Sequence, residues 1–383
     1  MRVTFRPTGN GFSEAAAKRR LSVTAVTNQV YMSICTRLLP SLLFLVFSSM
    51  VTSAARPAKV DHHQVEQNTR LQIFLDNANF GPGKIDGRQG EFTRKALALF
   101  KQSKGQADTD PPNPKTPIDT TGLDLSGIEP VFTSYTITAD DAANVGALPT
   151  GPVAQAKVKR LPYATLAEAV AEKFHCDLNF LKELNPKKTD KLKVGDPLTV
   201  PNVKPFEMSA VKGLQTGSEA QALIANELGE EQAAQTNTSA DKPTAPNESG
   251  ISLHISVKEG MLEVRANEKV AAAFPVTVGS QQTASPIGQW KVQAIAKLPN
   301  FRYDPKMLKQ GERSSNFHML PPGPNNPVGV IWIALNKKGI GIHGTNDPDS
   351  IGRSASHGCI RLANWDIVRL AEMVKPGVAV TVE

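Results

Sequence analysis

Apolar positions fall into three textures along the 383 residues. In residues 70–102, Leu71, Phe74 and Leu75 recur at helical spacing, and Phe92, Ala96, Leu97 and Phe100 do so again. Between the two sets runs a Gly-rich turn through Gly81, Gly83 and Asp86-Gly87, so the pattern predicts a helical hairpin with an ordered loop. In residues 131–204 a short strand, Tyr135-Thr136-Ile137-Thr138, precedes helical periodicity in Leu166, Ala169, Val170 and Phe174, then Leu178, Leu181 and Leu184, and a closing run from Leu192 to Pro201. From Ile251 onward the period drops to two, in the runs 251–257, 261–265, 270–278, 290–295, 329–335, 340–343 and 378–382, with one helix from Trp365 to Val374. The expected class is multidomain α+β: a small helical module, a βααβ module and a mainly β domain of sandwich or barrel type.

The rest of the chain punctuates these blocks. Residues 106–130, rich in Asp, Pro and Thr, and 205–250, dominated by Ala, Glu, Gln, Thr, Ser and Asn, read as linkers. They separate modules at 62–105, 131–204 and 251–383. Residues 1–55 read as a leader: the apolar run Leu38 to Val46 follows Arg37 and leads into Ser48, Ser49, Thr52, Ser53, Ala54 and Ala55, the layout of a secretory signal. That run starts late, and a start at Met32 would place it normally, so residues 1–31 are expected to be a mis-assigned extension. The alternative is an uncleaved leader retained as a membrane anchor. Export to a periplasm or cell wall is the expected location.

Charge changes the picture only by exclusion. The formal net charge is +7, but residues 1–55 carry +5 of it, which leaves +2 for the rest and removes the main support for nucleic-acid binding.

The candidate chemistry lies near the C-terminus, in Ser356-His357-Gly358-Cys359-Ile360-Arg361-Leu362 and the preceding His343-Gly344-Thr345. A thiol is mostly protonated at neutral pH and only its thiolate attacks well, so a nearby imidazole that takes the proton points to acyl transfer through Cys359. Gly358 leaves room for a carbonyl to approach the sulfur. The competing reading is zinc, but His343, His357 and Cys359 lack a convincing fourth ligand, and neither a metal nor a cofactor is expected. Cys35 lies in the leader. Cys176 and Cys359 are expected as free thiols, because a disulfide would silence Cys359, and Cys176 is expected to be a buried apolar residue.

These residues carry three resemblances. The Leu-Gln opening, the Phe-Gly-Pro-Gly-x-Ile-Asp-Gly loop and the Thr-x-x-Ala-Leu-x-x-Phe helix resemble the peptidoglycan-binding domain 1 family, a three-helix module. The strand-helix-helix-strand order with Asn185-Pro186 and LKVGDPLTVP resembles a LysM domain, a glycan-binding fold, interrupted by an insertion from about Ala143 to Pro162. From Ile251 to Glu383 the chain resembles the L,D-transpeptidase catalytic domain of YkuD type, in the His343 and Cys359 motifs, in Ser285-Pro286-Ile287-Gly288 before Trp290-Lys291-Val292, and in Pro322-Gly323-Pro324 with Asn326-Pro327.

The last resemblance implies that His343, not His357, is the general base, its ring held by the Gly344 carbonyl. Backbone N–H groups of His357, Gly358 and Cys359 would form the oxyanion hole, with His357 shaping the loop or touching substrate. Ser356, Thr345 and Arg361 are the expected substrate-binding residues; Arg361 either pairs with a substrate carboxylate or stiffens the loop by an internal salt bridge. The implied partner is peptidoglycan, both stem peptides and glycan strands, with another stem or a cell-wall protein as acceptor. An L,D-carboxypeptidase that uses water, and a non-catalytic wall-binding scaffold, are the alternatives.

Overall fold

The computed structural model describes residues 61–106, 116–213, 250–279, 287–310, 312–337, 339–353 and 358–383. The leader, most of the second expected linker, Ser285, Pro286, Ser356 and His357 lie outside the described residues.

Helix α1 (His62–Asn77) starts at Asp61, whose carboxylate accepts the N–H groups of His63 and Gln64. Leu71 and Leu75 bury toward α2 (Glu91–Ser103), while Ile73 buries on another face. The loop between the two helices is closed by one side chain: Gln72 donates to the Asp86 carboxylate and accepts from the backbone N–H of Asp86 and Gly87. Two helices, rather than the expected three, are present in 62–105 among the described residues.

The next block is β1 (Phe132–Thr136), α3 (Ala139–Ala143), α4 (Pro152–Gln155), α5 (Leu166–Lys173), α6 (Leu178–Leu184) and β2 (Pro197–Pro201), with β1 and β2 antiparallel and Tyr135 opposite Leu198. Cys176 is buried and free, and burial pushes its thiol well up. The insertion supplies α4, and it is anchored: Leu161 N–H donates to Pro322 O, and Asn325 N–H donates back to Leu161 O. A short helix α7 (Met208–Gly213) follows, with Val211 buried in the C-terminal core.

The mainly β region has eight strands in one sheet: β3 (Ile251–Ser256), β4 (Met261–Ala266), β5 (Lys269–Pro275), β6 (Gly288–Lys297), β9 (Ile331–Leu335), β10 (Gly341–His343), β11 (Ile360–Arg361) and β12 (Ala379–Val382), ordered β11-β10-β9-β6-β12-β3-β4-β5. The two ends of that order meet. Thr277, just past β5, exchanges both backbone hydrogen bonds with Arg361 of β11, at 2.9 Å each, so the sheet curls and closes on itself. A hairpin of β7 (Phe301–Tyr303) and β8 (His318–Leu320), with α8 (Pro305–Gln310) between, stands apart from the sheet. Helix α9 (Asn364–Met373) places Trp365, Ile367, Val368 and Leu370 in the sheet's core.

The N-terminal blocks do not hang from this domain on free tethers. Residues Lys59–Glu383 form one unit, and the first expected linker is partly built into it, with Ile118 buried beside Met261 and Val270 and its N–H donated to Gln89. Asn79, Phe80 and Gly81 run beside Ala273 of β5, while Ile85 bridges to Cys176. All three blocks converge on one carboxylate. Asp76 of α1, fully buried, accepts both Arg369 Nη atoms of α9 at 3.0 and 2.7 Å and the Nδ1 of His175 at 3.0 Å, and His175 stacks on Trp365. Burial works against charge on Asp76, but His175 and Arg369 hold its carboxyl well below the usual range. A depressed carboxyl stabilises the fold above its unfolded value of 3.8 and loses that contribution as pH falls beneath it. Asp76→Asn is therefore expected to cost about 3 kcal/mol at pH 7 by stranding a buried cation. Denaturant unfolding at neutral pH and below 3.8 checks this, since the gap from wild type should narrow in acid.

Candidate active site

His343 ends β10, between β9 on one side and β11 on the other. Its register partners are Trp332 across the antiparallel pair and Arg361 across the parallel pair. The Trp332 indole lies flat against the imidazole, with ring centroids 5.1 Å apart and planes 7° from parallel. On the ring's edge, Nδ1 sits 2.6 Å from Gly344 O. A carbonyl only accepts, so Nδ1 carries the hydrogen and Nε2 is left with its lone pair. Burial lowers the pKa of His343 to about 4, with Arg361 adding to the shift and the Gly344 carbonyl opposing it. At neutral pH the ring is an uncharged base.

Gly344 is required at its position by space. A methyl group built there would sit 2.3 Å from Asn364 Oδ1 and 3.2 Å from the Gly329 Cα. Gly358, buried with φ +104°, occupies backbone that side chains disfavour, and it sets the bend from which Cys359 departs.

Cys359 is half-buried against Ala294, Ala296, Val328 and Trp332, and its Sγ lies 3.7 Å from Gly339 O. One cavity of about 300 Å³ is lined by Cys359, His343, Trp332 and Arg361 together. Its opposite wall is the β7–α8–β8 hairpin, through Phe301, Tyr303, Met307 and Leu308. Asp304 pins that wall: its carboxylate accepts from the N–H groups of Lys306, Met307 and Ser314 and from the Ser314 hydroxyl. Burial would raise its pKa, and these bonds bring it down to about 2.

The structure thus gathers His343, Gly344, Cys359 and Arg361, with Gly358 beside them. Arg361 reaches the cavity while its backbone is tied to Thr277, and burial lowers its guanidinium pKa. Thr345 corrects the sequence expectation. It is 1% exposed, and its hydroxyl accepts the N–H of Asp347, so it shapes the turn after β10 instead of facing a ligand. The sequence reading missed the hairpin wall, whose strands are three residues each, and Trp332, which the period-two run around it could have placed opposite His343.

The L,D-transpeptidase catalytic domain model, YkuD, matches residues 250–382. A Bacillus subtilis protein assigned as an L,D-transpeptidase, YkuD, is 33% identical over 37% of this chain and 71% of its own length. A second from Bacillus subtilis, YqjB, assigned likewise, is 30% identical over 33% of this chain and 68% of its own length. Among solved structures, LD transpeptidase LdtMt1 in complex with imipenem aligns at 19% identity and TM-score 0.29, over 35% of this chain and 59% of that one.

The geometry gives a direct titration test. His343 should titrate near pH 4 by NMR, and Trp332→Ala, which admits water to the ring face, should move it up toward the usual 6.5. The sign for stability follows: a lowered imidazole contributes above 6.5 and loses that contribution as pH falls through 4.

Proposed function

The chain belongs to the L,D-transpeptidase family, and on that footing we propose that it is an exported enzyme that acts on peptidoglycan stem peptides through a thioester on Cys359. The observation that carries the proposal is the tautomer of His343: with Nδ1–H given to Gly344 O, the basic Nε2 is left for the cavity that also holds the Cys359 sulfur.

In the first half-reaction the Cys359 thiol gives its proton to His343 Nε2, and the sulfur attacks the carbonyl of the L-configured centre of the diamino acid at the third stem position. Backbone N–H groups of His357, Gly358 and Cys359 stabilise the oxyanion. The C–N bond to the terminal D-alanine breaks, and His343 returns the proton to the departing amine. In the second half-reaction an acceptor amine attacks the thioester, His343 takes its proton, a new amide forms and the thiol is regenerated. An amine from another stem gives a cross-link, one from a cell-wall protein gives an attachment, and water gives L,D-carboxypeptidase turnover.

Arg361, on the cavity wall, binds a donor carboxylate. Ser356, in the motif that contains Cys359, contacts the donor. The neutral base and the mostly apolar walls suit a reaction whose charge is confined to its transition state. Residues 62–105 and 131–204 are wall-binding modules, by their resemblance to peptidoglycan-binding domain 1 and LysM, and residues 1–55 direct export to the periplasm.

Incubation with imipenem and intact-mass analysis tests the nucleophile: wild type gains one adduct on Cys359 and Cys359→Ala gains none. With a tetrapeptide donor, Cys359→Ala should lose turnover by about a thousand-fold or more. A Cys359→Ala protein that still releases D-alanine would overturn the proposal.

A further inference from the structure

Asn364, the first residue of α9, is fully buried and its amide is fully committed. Its Nδ2 donates to Glu172 Oε1 at 3.0 Å and to Pro324 O at 3.3 Å, and its Oδ1 accepts the Val330 N–H at 3.2 Å. That Oδ1 also presses on two glycines. A methyl on Gly344 would lie 2.3 Å from it, and one on Gly329 2.2 Å. Gly344 is the residue whose carbonyl holds the His343 ring.

From this chain of contacts we infer that Glu172, in the βααβ block, is a positioning residue for the reaction, acting through Asn364 on Gly344 and so on the imidazole of His343. The inference rests on the role proposed for His343 and adds a residue from outside the matched catalytic domain.

The physical argument is one of amide orientation. An amide has a donor end and an acceptor end of nearly the same shape, and only its partners decide which way it faces. Here Glu172 and the Pro324 carbonyl require the donor end, and the Val330 N–H requires the acceptor end. Glu172 is fixed in turn by the Tyr163 hydroxyl, which donates to the same Oε1 at 2.7 Å. Glu172 is 8% exposed and Tyr163 is 4% exposed, so water does not readily replace either one. Without the Glu172 acceptor, the Asn364 amide loses its shorter donor contact and swings in a site packed to van der Waals contact against Gly329 and Gly344. The Gly344 carbonyl follows, and the 2.6 Å bond that fixes the His343 tautomer lengthens. Burial raises the Glu172 pKa to about 7, while its bonds from Tyr163 and Asn364 oppose the rise and Glu168 adds to it. In either protonation state Oε1 remains an acceptor.

The test reads the imidazole itself. Ring ¹⁵N shifts of His343 at pH 7 should report a single Nδ1–H tautomer in wild type and a mixture of tautomers in Glu172→Leu. With the tetrapeptide donor, kcat in Glu172→Leu should fall about ten-fold while KM stays within about two-fold, the pattern of a misplaced base rather than a lost binding contact. Glu172→Gln, whose Oε1 can accept both bonds, should restore the single tautomer and most of kcat. Should Glu172→Leu not fold, Tyr163→Phe removes only the hydroxyl that holds Glu172 and should show a smaller mixture in the same direction. A folded Glu172→Leu, or Tyr163→Phe in its place, with a single Nδ1–H tautomer and wild-type kcat overturns the inference. The tautomer readout needs no turnover, so it stands apart from the Cys359→Ala result that decides the reaction.

Discussion

The site depends on a parallel pairing only two residues long. Ile342 and His343 of β10 lie beside Ile360 and Arg361 of β11, and this register brings into one cavity an imidazole and a thiol that are sixteen positions apart in the chain. A two-residue parallel ladder is weak by itself. It holds because β11 has a partner on each edge. Leu362 N–H donates to His343 O on one side, and Thr277 exchanges two bonds with Arg361 on the other. Closing the sheet therefore also fixes the imidazole relative to the thiol, and the barrel-like curl and the geometry of the candidate site are one constraint.

A second constraint is burial without charge. Trp332 covers one face of His343 and the Gly344 carbonyl takes its N–H hydrogen, so at neutral pH the buried ring is held in its uncharged form. Other cysteine enzymes use a side-chain amide or carboxylate to orient the imidazole; here a backbone carbonyl does so. A carbonyl's position is set by whatever holds the backbone, which moves the burden of orientation to Gly344, Gly329 and Asn364.

Much of this was legible in the sequence where a short-range pattern carried it. The two helices of 62–105, the long β runs and the helix at 364–373 follow from apolar periodicity, whereas four helices, not the expected two, lie between β1 and β2. His343, Cys359 and Arg361 share a cavity as their motifs suggested. What escaped was encoded across blocks. Ile73 breaks the single-stripe reading of α1 because that helix is buried on two faces, one toward α2 and β5 and one toward Val170 and Phe174. The insertion at 143–162 looked like an interruption of a module, yet Leu161 bonds to Pro322 and Asn325, beside the active-site wall. Strands of two or three residues leave no period to count, which hid β7, β8 and β11. Thr345 stood next to a catalytic motif, but its burial depends on the turn that follows.

The same cross-block contacts change what the N-terminal blocks do for the proposed enzyme. A module on a long flexible tether raises the local concentration of a polymer but leaves the orientation of the catalytic cleft free. Here the carboxylate of Asp76 joins α1, His175 and Arg369, and Phe80 and Gly81 extend the sheet beside β5, so the blocks cannot rotate independently. A glycan strand held by either block would then meet the cavity at a fixed distance and angle. Fixed geometry lowers the entropy lost when a stem peptide enters, at the cost of reaching fewer stems from one binding position.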